Sequence, residues 1–174
     1  MATVLDVARY ILAQKGEMEA MKLQKLCYYA QAWHLAWEST PLFAEEFQAW
    51  RDGPVSRLLY SNHQRQRSVV AGQIQGSGDQ LTEAQRCVVD EVLRVHGEKS
   101  GNDLSALTHR EGPWCEARAG LAPDAHGDTV IQKDTMATYF RNLGKSRADW
   151  SGEPLEESLK RFIANRDDLL KRLA

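Results

Sequence analysis

The segment from Ala20 to Trp37 constrains the fold more than any other part of the chain. Leu23, Leu26, Cys27, Ala30, Trp33 and Trp37 recur at three- and four-residue intervals, the helical period. Tyr28, Tyr29, Leu35 and Ala36 widen that stripe until little of the circumference is polar. A helix of this kind has to be covered on several sides, which places it at the centre of a core. The chain has 174 residues, enough for one domain to supply that cover. The segment before it reads as a first helix. Thr3 precedes Val4, Val7, Ala8, Ile11 and Leu12 on one face, with Asp6 in the first turn, where a negative charge suits the helix dipole, and Gly16 at the end.

Beyond Pro41 the pattern changes. Phe43, Phe47 and Trp50 with intervening polar residues suit a short strand or hairpin arm. Gly53-Pro54 marks a turn, and proline favours the first helical position, so a helix is expected from Pro54 through Tyr60. Ser68 to Gln75 suits a second short strand, and Gly76-Ser77-Gly78 a flexible loop. Thr82 with Gln85 forms a capping box before Val88, Val89, Val92, Leu93 and Val95, and Gly97 closes that helix. Ser100 with Asp103 repeats the device before Leu104 and Leu107. Pro113 opens a helical turn carrying Trp114, and Ala122 to Asp128 is a loop. Lys133 to Leu143 is a helix with Met136, Tyr139 and Phe140 inward, ending at Gly144. Gly144 to Pro154 reads as a linker to an amphipathic C-terminal helix carrying Leu155, Leu159, Phe162, Ile163, Leu169, Leu170 and Leu173. The expected fold is therefore mainly α. A single compact helical domain over residues 1–143 carries a small β-hairpin element, and residues 144–174 form a linker and helix.

Several function classes are disfavoured. A net charge of −2 draws the chain as a whole neither to nucleic acid nor to an anionic membrane. No apolar run approaches the ~20 residues of a membrane helix, and Met1 to Val7 lacks a signal pattern. Three widely spaced cysteines, Cys27, Cys87 and Cys115, suit a reducing cytoplasm. They lack the paired spacing of a zinc site, and Cys27 reads as a small buried hydrophobe. Cys115 lies near His109, with Arg110 and Arg118 close by, but the packed thiol is the simpler reading. No nucleophile elbow or phosphate-binding glycine loop is present. The expectation is a binding protein with no metal or cofactor, not an enzyme.

Two clusters and one basic stretch are the candidate contact residues. Between Gly53 and Gly78 there is no acid, while Arg57, His63, Arg65 and Arg67 are present. Such a stretch can neutralise phosphates, dock an acidic protein surface, or simply be solvated. Trp50 and Asp52 stand in Trp50-Arg51-Asp52-Gly53-Pro54-Val55. His109, Glu111 and Trp114 stand in Thr108-His109-Arg110-Glu111-Gly112-Pro113-Trp114. Tryptophan is enriched at interface hot spots. The alternative is that both tryptophans wedge the core while His109 and Glu111 satisfy nearby backbone groups. A helix-turn-helix is disfavoured, because the second helix carries Tyr28, Tyr29, Trp33, Leu35 and Trp37 where a recognition helix needs polar groups.

In order and spacing, these motifs resemble the Panacea antitoxin domain, the SocA-like or GepA-like phage-associated family of bacteria. The resemblance rests on Leu23-Gln24-Lys25-Leu26 running into Tyr28-Tyr29-Ala30-Gln31 and Trp33, then Leu42-Phe43, Ala49-Trp50 and Gly53-Pro54-Val55. It continues through Leu104, Thr108-His109, Glu111, Pro113-Trp114, Ile131 and Tyr139-Phe140, and so covers roughly residues 1–140. Asp52 departs from the pattern, which more often has an aromatic residue there. The resemblance implies an antitoxin that binds and neutralises a cognate toxin protein. It would do so by masking the toxin or as an adaptor delivering it to an energy-dependent AAA+ protease. The alternative function is a DNA-binding regulator using the basic segment 57–67.

Overall fold

The computed structural model describes residues 1–146, so the expected C-terminal amphipathic helix lies outside the described residues. Helix α1 (Val4–Lys15) begins in a capping box between Thr3 and Asp6, and Gly16 closes it. A two-residue strand, β1 (Met18–Glu19), leads into α2 (Ala20–Glu38). Fifteen of the 19 residues of α2 are buried, so cover on all sides is realised. The cover comes from α1, from α4 (Glu83–His96) and α5 (Gly101–Thr108), and from the long α7 (Lys133–Ser146). Tyr28, Tyr29 and Trp33 of α2 meet Phe140 of α7 edge-on at 6.2, 6.0 and 5.2 Å, and Tyr28 meets Phe47 at 5.5 Å. These are favourable aromatic geometries beyond simple area burial.

A helix covered all round also buries its polar residues, and each then needs a partner. The partners come from the chain that follows it. Gln31 donates to the Phe43 carbonyl at 2.8 Å and accepts from the Leu42 amide at 2.7 Å. The His34 ring nitrogen lies 2.7 Å from the Thr40 carbonyl. Gln24 accepts from the Ser56 amide at 2.9 Å and lies 2.9 Å from a His63 ring nitrogen. Lys25 donates to the Pro54 carbonyl at 3.1 Å. Two stretches of otherwise irregular backbone are thus fastened to α2 by its own side chains.

One of those stretches is a hairpin. Strand β2 (Phe47–Trp50) pairs antiparallel with β3 (Gly53–Val55), Ala49 opposite Pro54 and Trp50 opposite Gly53. Strand β5 (Val130–Ile131) adds to the other edge of β2. Pro54 therefore lies in a strand and does not open a helix. Helix α3 (Arg57–His63) starts only after Ser56, once the Lys25 and Gln24 contacts have held residues 54–56 extended. Of the expected strand over Ser68–Gln75, only β4 (Ser68–Val69) pairs, against β1, and a 3-10 turn follows at Ala71–Gln73. The segment 76–78 is fastened, since the Ser77 amide donates to Asp6 at 2.7 Å and Gly76 packs against the Leu5 backbone.

Both later capping boxes form as expected, Thr82 with Gln85 on α4 and Ser100 with Asp103 on α5. On α4, His96 is buried where Val95 is only half-buried, so the inward face is rotated slightly from the all-valine stripe. The short α6 (Gly112–Ala117) carries Pro113 in its first turn and buries Trp114. Helix α7 runs through Gly144 to Ser146, so the helix does not end at the glycine.

Candidate functional site: a cleft between the hairpin and α3

The turn of the hairpin, Arg51-Asp52, is held from beneath by α5 and α6. The Trp114 indole donates to the Trp50 carbonyl at 3.0 Å, and Ser105 donates to the Asp52 carbonyl at 2.8 Å. Arg118, itself buried, donates to the Ala49 carbonyl at 3.0 Å and lies over the Trp114 ring at 5.1 Å. His109 also stacks on that ring system, with centroids 4.1 Å apart. Glu111 turns into the core, where both its oxygens accept from Tyr29 at 3.1 Å. The expected cluster of His109, Glu111 and Trp114 therefore sits under the hairpin, with Glu111 and Trp114 buried. Cys115, expected to be packed, is exposed with its thiol directed at the His109 carbonyl, because Trp114 takes the inward position of this short helix.

Gly53 makes this close fit. Its φ is +109°, and a Cβ there would lie 2.5 Å from Lys25 Cε and 2.9 Å from Thr108 Oγ1. Both the backbone conformation and the space exclude a side chain. Gly53→Ala is expected to cost about 2–3 kcal/mol, measurable as a drop in denaturant midpoint, because strain and overpacking add.

Above the turn, a cleft of about 600 Å³ opens between the start of α2, the hairpin and α3. Trp50, Asp52, Arg65 and Arg67, four of the residues singled out by sequence, line it together. Arg57, exposed at the start of α3, does not. Trp50 is half-buried and meets Tyr60 edge-on at 4.9 Å, and Tyr60 meets His63 at 5.5 Å. The half-exposed indole is held by its hydrogen bond to Gln48 at 2.9 Å. Arg51 and Asp52 pair across the rim at 3.2 Å. Asp124 and His126, from the loop before β5, complete the lining.

The residue that sequence reasoning did not single out is Lys25. It reaches the cleft wall from α2 yet is 1% exposed. Burial pushes its ammonium down to about 7, only partly opposed by the charge of Asp52. Burial also lowers His63, and the Lys25 charge adds to that effect. His109 is lowered by burial and by Lys25 as well. The available signal was a lysine on a helix with no polar face, where a solvated position does not exist. Among the described residues, no group of three or more His, Cys, Asp or Glu is arranged to hold a metal ion. No helix among them is long and apolar enough to cross a membrane.

The family model for the antitoxin SocA-like, Panacea domain matches residues 23–115. The chain belongs to this family. The matched stretch begins in α2 just before Lys25 and ends in α6 just after Trp114. It takes in Lys25, the hairpin, and the supports Ser105 and Trp114 beneath it, but it stops short of Arg118, β5 and α7; the motif resemblance had included β5 and α7. Comparison with curated proteins and with solved structures gives no match for this Panacea domain.

Proposed function

We propose that this Panacea domain is an antitoxin that neutralises a protein toxin by direct contact, with the cleft beside the hairpin as the contact surface. The observation that carries the reading is the joint placement of Trp50, Tyr60, Arg65 and Arg67 around one concave site in an antitoxin-family domain. A half-exposed aromatic pair beside arginines is the composition of an interface hot spot. The supports below the hairpin hold that surface in place before binding, which lowers the ordering cost of association. The same concavity speaks against DNA as the partner. Asp52 and Asp124 stand among its cations, and Arg57 lies apart from Arg65 and Arg67, so no uninterrupted phosphate-binding track runs along residues 57–67.

Co-expression with the product of the adjacent gene, followed by pull-down, tests the proposal. A stable one-to-one or higher complex is expected without protease inhibition. A partner that accumulates only when proteolysis is blocked would replace masking with delivery to a protease. Binding to the protein's own promoter with a steep salt dependence would move the assignment to DNA. Within the complex, the Arg65→Glu/Arg67→Glu double variant is expected to weaken affinity at least tenfold with its melting temperature unchanged, since both side chains are exposed.

A further inference from the structure

Lys25 poses a specific electrostatic problem. Its ammonium has three donors, and one is used, by the Pro54 carbonyl at 3.1 Å. Among the described residues Lys25 makes no ion pair. The carboxylate whose charge it senses, Asp52, is engaged by Arg51 at the exposed rim. A cation buried without a counter-charge is costly, and an apolar side chain of the same length would fill this space at lower cost. The wall in which it sits is also rich in basic side chains on a slightly acidic chain. Three guanidinium groups, Arg51, Arg65 and Arg67, together with the Lys25 amine face two carboxylates there, against a net charge of −2 for the whole protein. Two half-buried aromatic rings, Trp50 and Tyr60, line the same cleft and leave apolar surface open.

We infer that the cleft receives an acidic side chain of the partner toxin, its carboxylate meeting the Lys25 ammonium and its neighbouring apolar residue lying against Trp50 and Tyr60. The inference rests on the functional reading above and adds the chemistry of recognition to it. Charge complementarity selects an acidic segment, and the exposed arginines at the mouth speed its approach. Burying the carboxylate is favourable only because the matching ammonium has already been stripped of water in the free domain, so part of the desolvation cost is met on folding.

The test uses the full chain and the co-expressed product of the adjacent gene. Lys25→Met keeps the length and apolar stem and removes a buried charge, which offsets the lost bond to the Pro54 carbonyl, so it should still fold, yet bind the partner at least tenfold more weakly. In parallel, each Asp and Glu of the partner is changed to Asn or Gln and measured against the wild-type antitoxin. At least one change should cost tenfold or more there and cost almost nothing against Lys25→Met. Unaltered affinity in Lys25→Met with an intact melt overturns the inference while leaving the functional reading in place. Should Lys25→Met fail to fold, the partner series alone decides: no single acid that matters to the wild type overturns it. Absence of binding by the wild-type chain overturns the functional reading itself, and this inference with it.

Discussion

Trp114→Ala is expected to destabilise the domain by about 3–5 kcal/mol, the range for removing a large buried aromatic side chain. The substitution deletes more than packing. It removes the donor that holds the Trp50 carbonyl and the ring that His109 and Arg118 contact. The Trp50 carbonyl then loses the indole bond at the very turn that shapes the cleft, so the hairpin loosens along with the core. Trp50→Ala should behave differently. That indole is half-buried, and its ring nitrogen is satisfied by Gln48. Its loss is expected to leave the fold in place and to weaken partner binding by about 2 kcal/mol or more. Chemical denaturation beside affinity measurement on the two variants separates the roles. A Trp114→Ala protein as stable as the wild type would remove the support assigned to α6.

Acid should unfold this domain largely through one histidine. His96 stacks on Tyr29 at 4.4 Å, and burial, with the nearby Lys99 charge, pushes it down to about 3. The unfolded chain takes up the proton near pH 6.5, whereas the folded protein resists until far lower pH. Stability from this residue is therefore complete above pH 6.5 and is lost progressively as pH falls toward 3. At about 1.4 kcal/mol per pH unit, the loss is on the order of 4–5 kcal/mol. His34, His63 and His109 are also lowered by burial, so they act in the same direction. His96→Phe keeps a ring against Tyr29 and removes the titrating group. Its urea-unfolding free energy should fall several kcal/mol less than the wild type's between pH 7 and 4. Parallel pH profiles for the two proteins would show that His96 does not carry the acid sensitivity.

The helices were legible because their signals are local. Thr3, Thr82 and Ser100 each stand three residues before the side chain that completes the capping box. The central place of α2 followed from its apolar circumference alone. The hairpin was only half legible. Phe47 and Trp50 announced the first arm, but Gly53-Pro54 carries the same local signal for a helix start as for a turn into a strand. What decides between them is the Lys25 ammonium and the Gln24 amide acting from about thirty positions earlier in the chain. Gly144 misled for a related reason: glycine lowers helix propensity by only about 1 kcal/mol relative to alanine, which the rest of α7 overcomes. At the site, Trp50, Asp52, Arg65 and Arg67 were visible as residue types suited to an interface. That they share one concavity with Tyr60, Asp124 and His126 depends on long loop closures that no local pattern encodes.

The fastening of the hairpin by side chains of α2, α5 and α6 has a consequence for how such a domain can change its specificity. Side chains on the inward side, Lys25, Ser105, Trp114 and Arg118, bond to the hairpin backbone and fix the turn. The side chains that ring the mouth from the α3 side, Arg65 and Arg67, and those from the loop before β5, Asp124 and His126, contribute none of them. Mutational drift at the mouth can therefore remodel the cleft without first passing through a destabilised intermediate. Drift at the supports has no such freedom. The architecture separates the positions that are open to variation from those that are not, so that a new partner can be accommodated one exposed substitution at a time.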